Sequence, residues 1–290
     1  MTLRHLKIFV AVVDAGTMTA ASKTLYMTQP SVSQAIRELE SHYGAQFFDR
    51  ISKRLYLTDQ GTRFLSYARH ILSLSDEMEM ALAHPEAFGT LKVGATLTIG
   101  NALLPSIVHR FQSEFPKISL QLFVKNTDDI EQMIIGNTID LGLVEGYVVS
   151  QDIVQTPLAS DSLALVCGRS HPLYGRTDIT ERQLAQQRFI VREPGSGTRA
   201  LFENAMRAQG LSWTPAWECS GSDIMTRAAA EGLGIAVLSE RLIATEIASG
   251  TLWRLPSETL NLRRQFSIVY HKNKYFSDIA QHFIRHCESL

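Results

Sequence analysis

Residues 28–44 read Thr-Gln-Pro-Ser-Val-Ser-Gln-Ala-Ile-Arg-Glu-Leu-Glu-Ser-His-Tyr-Gly, and few stretches leave a chain so little conformational choice. Thr28 is a good helix cap, Pro30 is tolerated only in the first turn, and Gly44 suits the residue that ends a helix. Val32, Ile36 and Leu39 recur at helical spacing and face inward, which leaves Gln29, Ser31, Ser33, Gln34 and Arg37 outward. Upstream, Leu3, Leu6, Phe9, Val10 and Val13 form another amphipathic helix, punctuated by Gly16. A short alanine-rich helix runs from about Met18 to Leu25, and Tyr26-Met27 forms a turn. Two short helices joined by a tight turn make a helix-turn-helix, whose second helix enters the major groove of DNA. Amides, hydroxyls and one arginine suit base edges and phosphates. Phe47 to Leu57 reads as a two-stranded wing with Ser52, Lys53 and Arg54 at its tip.

The whole-chain net charge, only −1 over 290 residues, runs against this. The average conceals an asymmetry. Residues 1–70 carry nine basic and five acidic residues, a net +4, and the remainder is −5. A basic end on an acidic body fits a DNA-binding module joined to something else.

A helix starting at Thr58-Asp59-Gln60-Gly61 is predicted to run unbroken to about His84. Its heptad seam is Phe64, Tyr67, Ile71, Leu74, Met78 and Ala81, all apolar. A helix packed on its own domain is one reading and a dimerising coiled coil is the other. The second is preferred because the helix leaves a small domain and ends in a linker. Pro85 to Gly89 sets the boundary. Beyond it strands alternate with helices, which predicts parallel βαβ sheets covered on both faces. The expected fold class is α/β behind an all-α winged helix-turn-helix. The expected domains are residues 1–58, a linker helix and hinge over 59–89, and a sensor domain over 90–290. Its two subdomains would be about 90–160 with 265–290, and about 161–264.

Open α/β sheets bind ligands beyond the carboxyl ends of their strands. Three places meet that rule: Thr96-Leu97-Thr98-Ile99-Gly100; Glu145-Gly146; and Arg192-Glu193-Pro194-Gly195-Ser196-Gly197-Thr198-Arg199. Hydroxyls beside free N–H groups at a helix start make an anion-friendly nest. Plain strand-to-helix turns have the same composition. Glu145 would repel an anion unless Arg192 or Arg199 offsets it, which leaves an effector amine or hydroxyl open as well.

Other chemistries are not indicated. Cys167, Cys219 and Cys287 are far apart and suit buried structural thiols better than a redox pair, a disulfide or a zinc site. No metal or other cofactor is expected. Gly195-Ser196-Gly197 lacks the flanking pattern of a hydrolase elbow, since residue 194 is Pro and residue 198 is Thr. No enzyme is expected. A pure binding protein would leave the basic helix-turn-helix unexplained. The apolar stretch Ile8 to Val13 is too short for a signal-peptide core, so a cytoplasmic protein that does not enter the membrane is expected.

Several stretches together resemble the LysR-type transcriptional regulators. They are Leu6 to Val12, Met18-Thr19-Ala20-Ala21-Ser22, Thr28 to Glu40, and Phe48-Asp49-Arg50, in that order. The resemblance implies that Gln29, Pro30, Ser31, Ser33, Gln34 and Arg37 lie in the major groove of promoter DNA, with Arg50, Lys53 and Arg54 nearer the backbone. It implies dimerisation through the linker helix and usually a dimer of dimers, a homotetramer, and leaves RNA polymerase open as a partner. The sensor domain is then similar to periplasmic binding proteins. Thr96, Thr98, Ser196 and Thr198 match positions that line its cleft, with Ile99, Gly100, Glu145 and Gly197 beside them. The 192–199 stretch resembles members that control sulfur assimilation and carbon fixation. By analogy this points to a small anion or phosphorylated metabolite as effector.

Overall fold

A computed structural model describes residues 1–51, 54–83, 89–257 and 259–289. The chain divides into an N-terminal unit, chiefly residues 1–89, and a larger unit that contains nearly all the rest.

The N-terminal unit is built from its caps inward. Helix α1 (Leu3–Ala15) starts at Thr2 and stops at Gly16, whose φ is 69°. Helix α2 (Met18–Thr24) is capped by Thr17, which accepts from the Ala20 N–H at 3.1 Å. Helix α3 (Gln29–Tyr43) is capped by Thr28 and ends at Gly44, φ 62°. Each cap satisfies amide or carbonyl groups that a helix end otherwise leaves unpaired. Leu6, Phe9 and Val12 of α1 meet Val32, Ile36 and Leu39 of α3 in one buried core. Strands β1 (Phe48–Ile51) and β2 (Arg54–Leu57) pair antiparallel, Phe48 opposite Leu57, as expected for the wing. Ser52 and Lys53 at its tip lie outside the described residues, and so do the Arg50 and Arg54 side chains.

Helix α4 (Asp59–Ala83) has 25 residues, so it is about 37 Å long. Gly61 lets it start hard against the wing, since a Cβ there would fall 2.1 Å from the Phe47 carbonyl oxygen. The predicted seam divides. Phe64 turns into the unit's own core, stacked on Phe47 at 4.4 Å and edge-on to Phe9 at 4.8 Å. Tyr67, Ile71, Leu74 and Met78 form an exposed apolar stripe. The Ala81 side chain and His84 lie outside the described residues.

The larger unit holds a sheet of nine strands. These are β3 (Thr90–Thr96), β4 (Ser119–Lys125), β5 (Leu141–Glu145), β6 (Ile153–Gly168), β7 (Arg188–Arg192), β8 (Thr214–Cys219), β9 (Ile235–Ser239), β10 (Leu252–Arg254) and β11 (Arg263–His271). Their order is β4-β3-β5-β11-β6-β9-β7-β8, with β10 on β6. The helices are α5 (Leu97–Ala102), α6 (Leu104–Glu114), α7 (Thr127–Ile135), α8 (Glu181–Ala185), α9 (Gly197–Ala208), α10 (Ser222–Ala230), α11 (Ala244–Ala248) and α12 (Asp278–Glu288). The expected βαβ pairs are present at β3/β4, β3/β5, β7/β8 and β7/β9, all parallel. The expectation of wholly parallel sheets is corrected, because β5/β11, β11/β6, β6/β9 and β6/β10 are antiparallel.

Strand β6 explains the mixture. Residues 153–162 pair with β11, whereas residues 163–168 pair with β9 and β10, so one strand serves two halves. Each half has its own core. Phe111, Phe266 and Phe283 fill one, and Phe189, Phe202 and Met206 fill the other. Between β3 and β4 the helical stretch is split in two at Leu103, where φ is −125° and Pro105 lies in the first turn of α6.

Candidate DNA-reading helix and effector cradle

On α3 the side chains of Gln29, Pro30, Ser31, Gln34 and Arg37 are exposed, as their spacing predicted. Ser33 is not. It is buried, with its hydroxyl accepting from Arg37 Nη1 at 3.0 Å. The residue sits on the border of the apolar face, and the arginine one turn later folds over it. Arg37 also donates to Gln34 Oε1 at 2.7 Å, and Gln34 donates to Glu38 Oε1 at 2.9 Å. His5 from α1 lies 3.1 Å from Glu38. Hydrogen bonds from Gln34 and then His5 hold the Glu38 carboxyl below its ordinary range. The outward face of α3 is therefore a linked row of donors and acceptors rather than independent side chains.

The larger unit gathers most of the sensing residues into one buried cluster. Glu145 ends β5 and is only 1 % exposed. Thr96, at the end of β3, donates its hydroxyl to Glu145 Oε2. Thr98 donates to Oε1 at 3.0 Å, and Thr198, in the first turn of α9, donates to the same oxygen at 3.5 Å. The cation that balances this carboxylate is Arg264 of β11. Its Nη1 donates to Thr198 Oγ1 at 2.8 Å and its Nη2 to Thr98 Oγ1 at 3.2 Å. It lies 3.7 Å from Glu145 and 2.7 Å from Asp161 of β6. Asp161 also accepts from Ser239 at 2.7 Å. Two carboxylates thus share one guanidinium, and two threonine hydroxyls relay between cation and anion. A buried charge is tolerable only in such company.

The arginines expected to offset Glu145 do not do so. Arg192 pairs with its neighbour Glu193 at 2.8 Å, and Arg199 pairs with Glu203 and Glu218. Arg264 and Asp161 lie outside the strand-to-helix loops that mark the other residues, Arg264 beside exposed Arg263 at the start of β11 and Asp161 within β6. Their signal was parity. Arg264 shares the inward register of Phe266 and Ile268, and an arginine there must meet a carboxylate.

The rest of the set frames this cluster. Gly197 packs so closely that a Cβ would fall 2.3 Å from the Glu145 carbonyl oxygen, and its N–H donates to Thr127 Oγ1 at 3.1 Å. The Asp128 N–H donates to the Gly195 carbonyl at 3.2 Å. Ile99 is buried, and Gly100 lies beside Val124. Ser196 precedes α9 without capping it, and its hydroxyl is buried with no hydrogen-bond partner.

Burial pushes the Cys167 thiol up to about 11 and the Cys287 thiol up to about 12, and it also raises that of half-buried Cys219. Thiolate is the reactive form, so little is available near neutrality. A chromogenic disulfide reagent at pH 8 should label Cys219 slowly, and Cys167 and Cys287 only on unfolding. Rapid labelling of all three in the folded chain would contradict this. His282 and His286 stand one turn apart on α12, a metal-like spacing, but His286 pairs with Glu114 at 3.1 Å. No three-residue metal cluster occurs among the described residues.

A helix-turn-helix with a wing, a long helix, and a two-core α/β unit holding a polar cluster together define a ligand-responsive DNA-binding regulator. Comparison with known proteins gives the class. Residues 3–62 match the bacterial regulatory helix-turn-helix of the lysR family, and residues 84–290 match the LysR substrate binding domain. The chain belongs to the LysR family of transcriptional regulators. It is 32 % identical over 288 residues to YeiE of Escherichia coli, described as an uncharacterized HTH-type transcriptional regulator, covering 99 % of this chain and 97 % of that one. It is 30 % identical over 285 residues to the RuBisCO operon transcriptional regulator of Allochromatium vinosum, covering 98 % and 94 %. The Synechocystis CcmR regulatory domain, solved in complex with 2-PG, is 27 % identical with a TM-score of 0.64, covering 69 % of this chain and 96 % of that one.

Proposed function

We propose that this chain reads promoter DNA with Gln29, Pro30, Ser31, Gln34 and Arg37, with buried Ser33 holding Arg37 in place, supported by Arg50, Lys53 and Arg54 on the backbone, and works where that DNA is, in the cytoplasm. The proposed organisation is residues 1–58 for DNA binding, 59–89 for dimerisation and 90–290 for sensing. Two dimers would join as a tetramer, and RNA polymerase is the partner that the regulator would influence.

We further propose that the effector is a small anion, held by Thr96, Thr98, Ser196 and Thr198, with Ile99, Gly100 and Gly197 shaping the space. One observation carries this. Three threonine hydroxyls and the relayed charge of Arg264 converge on a single carboxylate, that of Glu145. Donors so arranged suit an anionic oxygen group, and Glu145 occupies the place such a group would take. The amide groups at the start of α9 add to the attraction. The bound 2-PG of CcmR supports a small-molecule effector in this branch. Effector binding would then exchange the Glu145 contacts for its own and alter the angle between the two halves of the sensor. A ligand shifts that equilibrium only by binding one arrangement better.

Glu145→Gln gives the test a sign. Removing the internal anion should tighten binding of inorganic phosphate, sulfate or 2-PG about tenfold, near 1.4 kcal/mol, as read by calorimetric titration. The second reading, an amine-bearing effector held by Glu145 itself, predicts the reverse: anions ignored, amines bound, and amine binding lost in Glu145→Gln.

A further inference from the structure

We infer that Tyr26 is a DNA contact, its phenol donating a hydrogen bond to a backbone phosphate beside the groove. The inference rests on the reading of α3 as the helix that enters that groove.

The observation is a helix end made with the wrong residue. Beyond α2 the Tyr26 N–H donates to the Lys23 carbonyl at 3.2 Å, and the Met27 N–H donates to the Ser22 carbonyl at 2.9 Å. This pair of bonds closes a helix through one residue in the left-handed conformation, and Tyr26 has φ 52°. Glycine normally takes that place, because a Cβ there crowds the following carbonyl. Helices α1 and α3 also end on left-handed residues, and both of these are glycines, Gly16 and Gly44. At the turn of the helix-turn-helix a bulky aromatic takes the strained position instead.

The side chain returns nothing to the fold. Tyr26 is 98 % exposed, so the ring lies open to water. The apolar contact that accompanies this kind of helix end is made by Met27, which packs on the unit's core. Strain without local compensation is retained where a partner uses it. The surroundings indicate which partner. Lys23 is exposed three residues earlier, Thr28 starts α3 two residues later, and this unit carries the positive end of the chain. The phosphates that flank the groove receive the residues around the start of such a helix. A phenol O–H donates to a phosphate oxygen without carrying charge.

That neutrality makes the test specific. The full chain would be titrated by fluorescence anisotropy against a duplex it selects from a random library and against an unrelated duplex, between 50 and 200 mM salt. Tyr26→Gly should bind both about tenfold more weakly and Tyr26→Phe several-fold more weakly. Because no counterion is released by a neutral donor, the salt slope should equal that of the wild type. Tyr26→Gly should melt no lower than the wild type, since the strain is gone. Wild-type affinity in Tyr26→Phe overturns the inference, as does a loss of affinity accompanied by a lower melting temperature in Tyr26→Gly. Wild-type affinity in Arg37→Ala as well overturns the reading of α3 on which the inference rests.

Discussion

Replacing Arg264 with methionine is expected to destabilise the sensor unit by about 3–5 kcal/mol, which lowers its melting temperature by on the order of 10 °C. The size follows from what the substitution leaves behind. Arg264 is 7 % exposed, and it faces Asp161 at 2.7 Å and Glu145 at 3.7 Å. Methionine fills much of the volume but returns no charge, so two carboxylates remain buried without their cation. Arg241 comes within 3.8 Å of Asp161 only and is itself half-exposed. Adding Glu145→Gln to Arg264→Met should recover part of the loss, because the two residues share one network. Denaturant unfolding of the two single variants and the double variant checks both statements. A loss below 1 kcal/mol in Arg264→Met would mean that water enters the cluster freely.

Leu74→Asp is expected to have the second large effect, on assembly rather than folding. Leu74 lies mid-stripe with Tyr67, Ile71 and Met78, all exposed on α4 and turned away from the unit's own core. An aspartate there removes no member of the unit's buried core. In the proposed dimer it would place two carboxylates facing each other in an apolar seam, where like charges repel. Sedimentation velocity should show the mass fall to half that of the wild-type tetramer, since the contact that joins the two dimers is untouched. Affinity for a two-half-site duplex should fall at least 100-fold, because the second head no longer binds as a tethered partner. Unchanged mass in Leu74→Asp would remove α4 as the dimer element.

Where the sequence was legible, one residue carried one physical role. Thr28, Pro30 and Gly44 marked the ends of α3, and Val32, Ile36 and Leu39 its inner face, because caps and helical periodicity are local. Ser33 was misplaced because its burial depends on how Arg37 folds over it, which is a tertiary matter. Long-range pairing was harder to read. Strand β6 was legible only over its apolar end, Leu163 to Cys167. Its first ten residues include Gln155, Pro157, Asp161 and polar neighbours that break the apolar run, yet they form the ladder to β11. The cradle followed the same rule. Thr96, Thr98 and Thr198 were marked by their strand-to-helix loops, whereas Asp161 lies mid-strand and Arg264 near the start of β11, and both become functional candidates only when distant segments meet. Thr98 and Arg264 are 166 residues apart in sequence and 3.2 Å apart in space.

Helix α3 is the element through which the proposed regulator reads sequence. The most direct measurement is selection of duplexes from a random library by the wild-type chain and by a Gln34→Ala, Arg37→Ala double variant. The wild type should enrich paired half-sites whose spacing follows the helical repeat of DNA. The double variant should lose that enrichment while keeping weak, salt-sensitive binding. If the double variant enriched the same half-sites as the wild type, α3 would not be the helix that reads them.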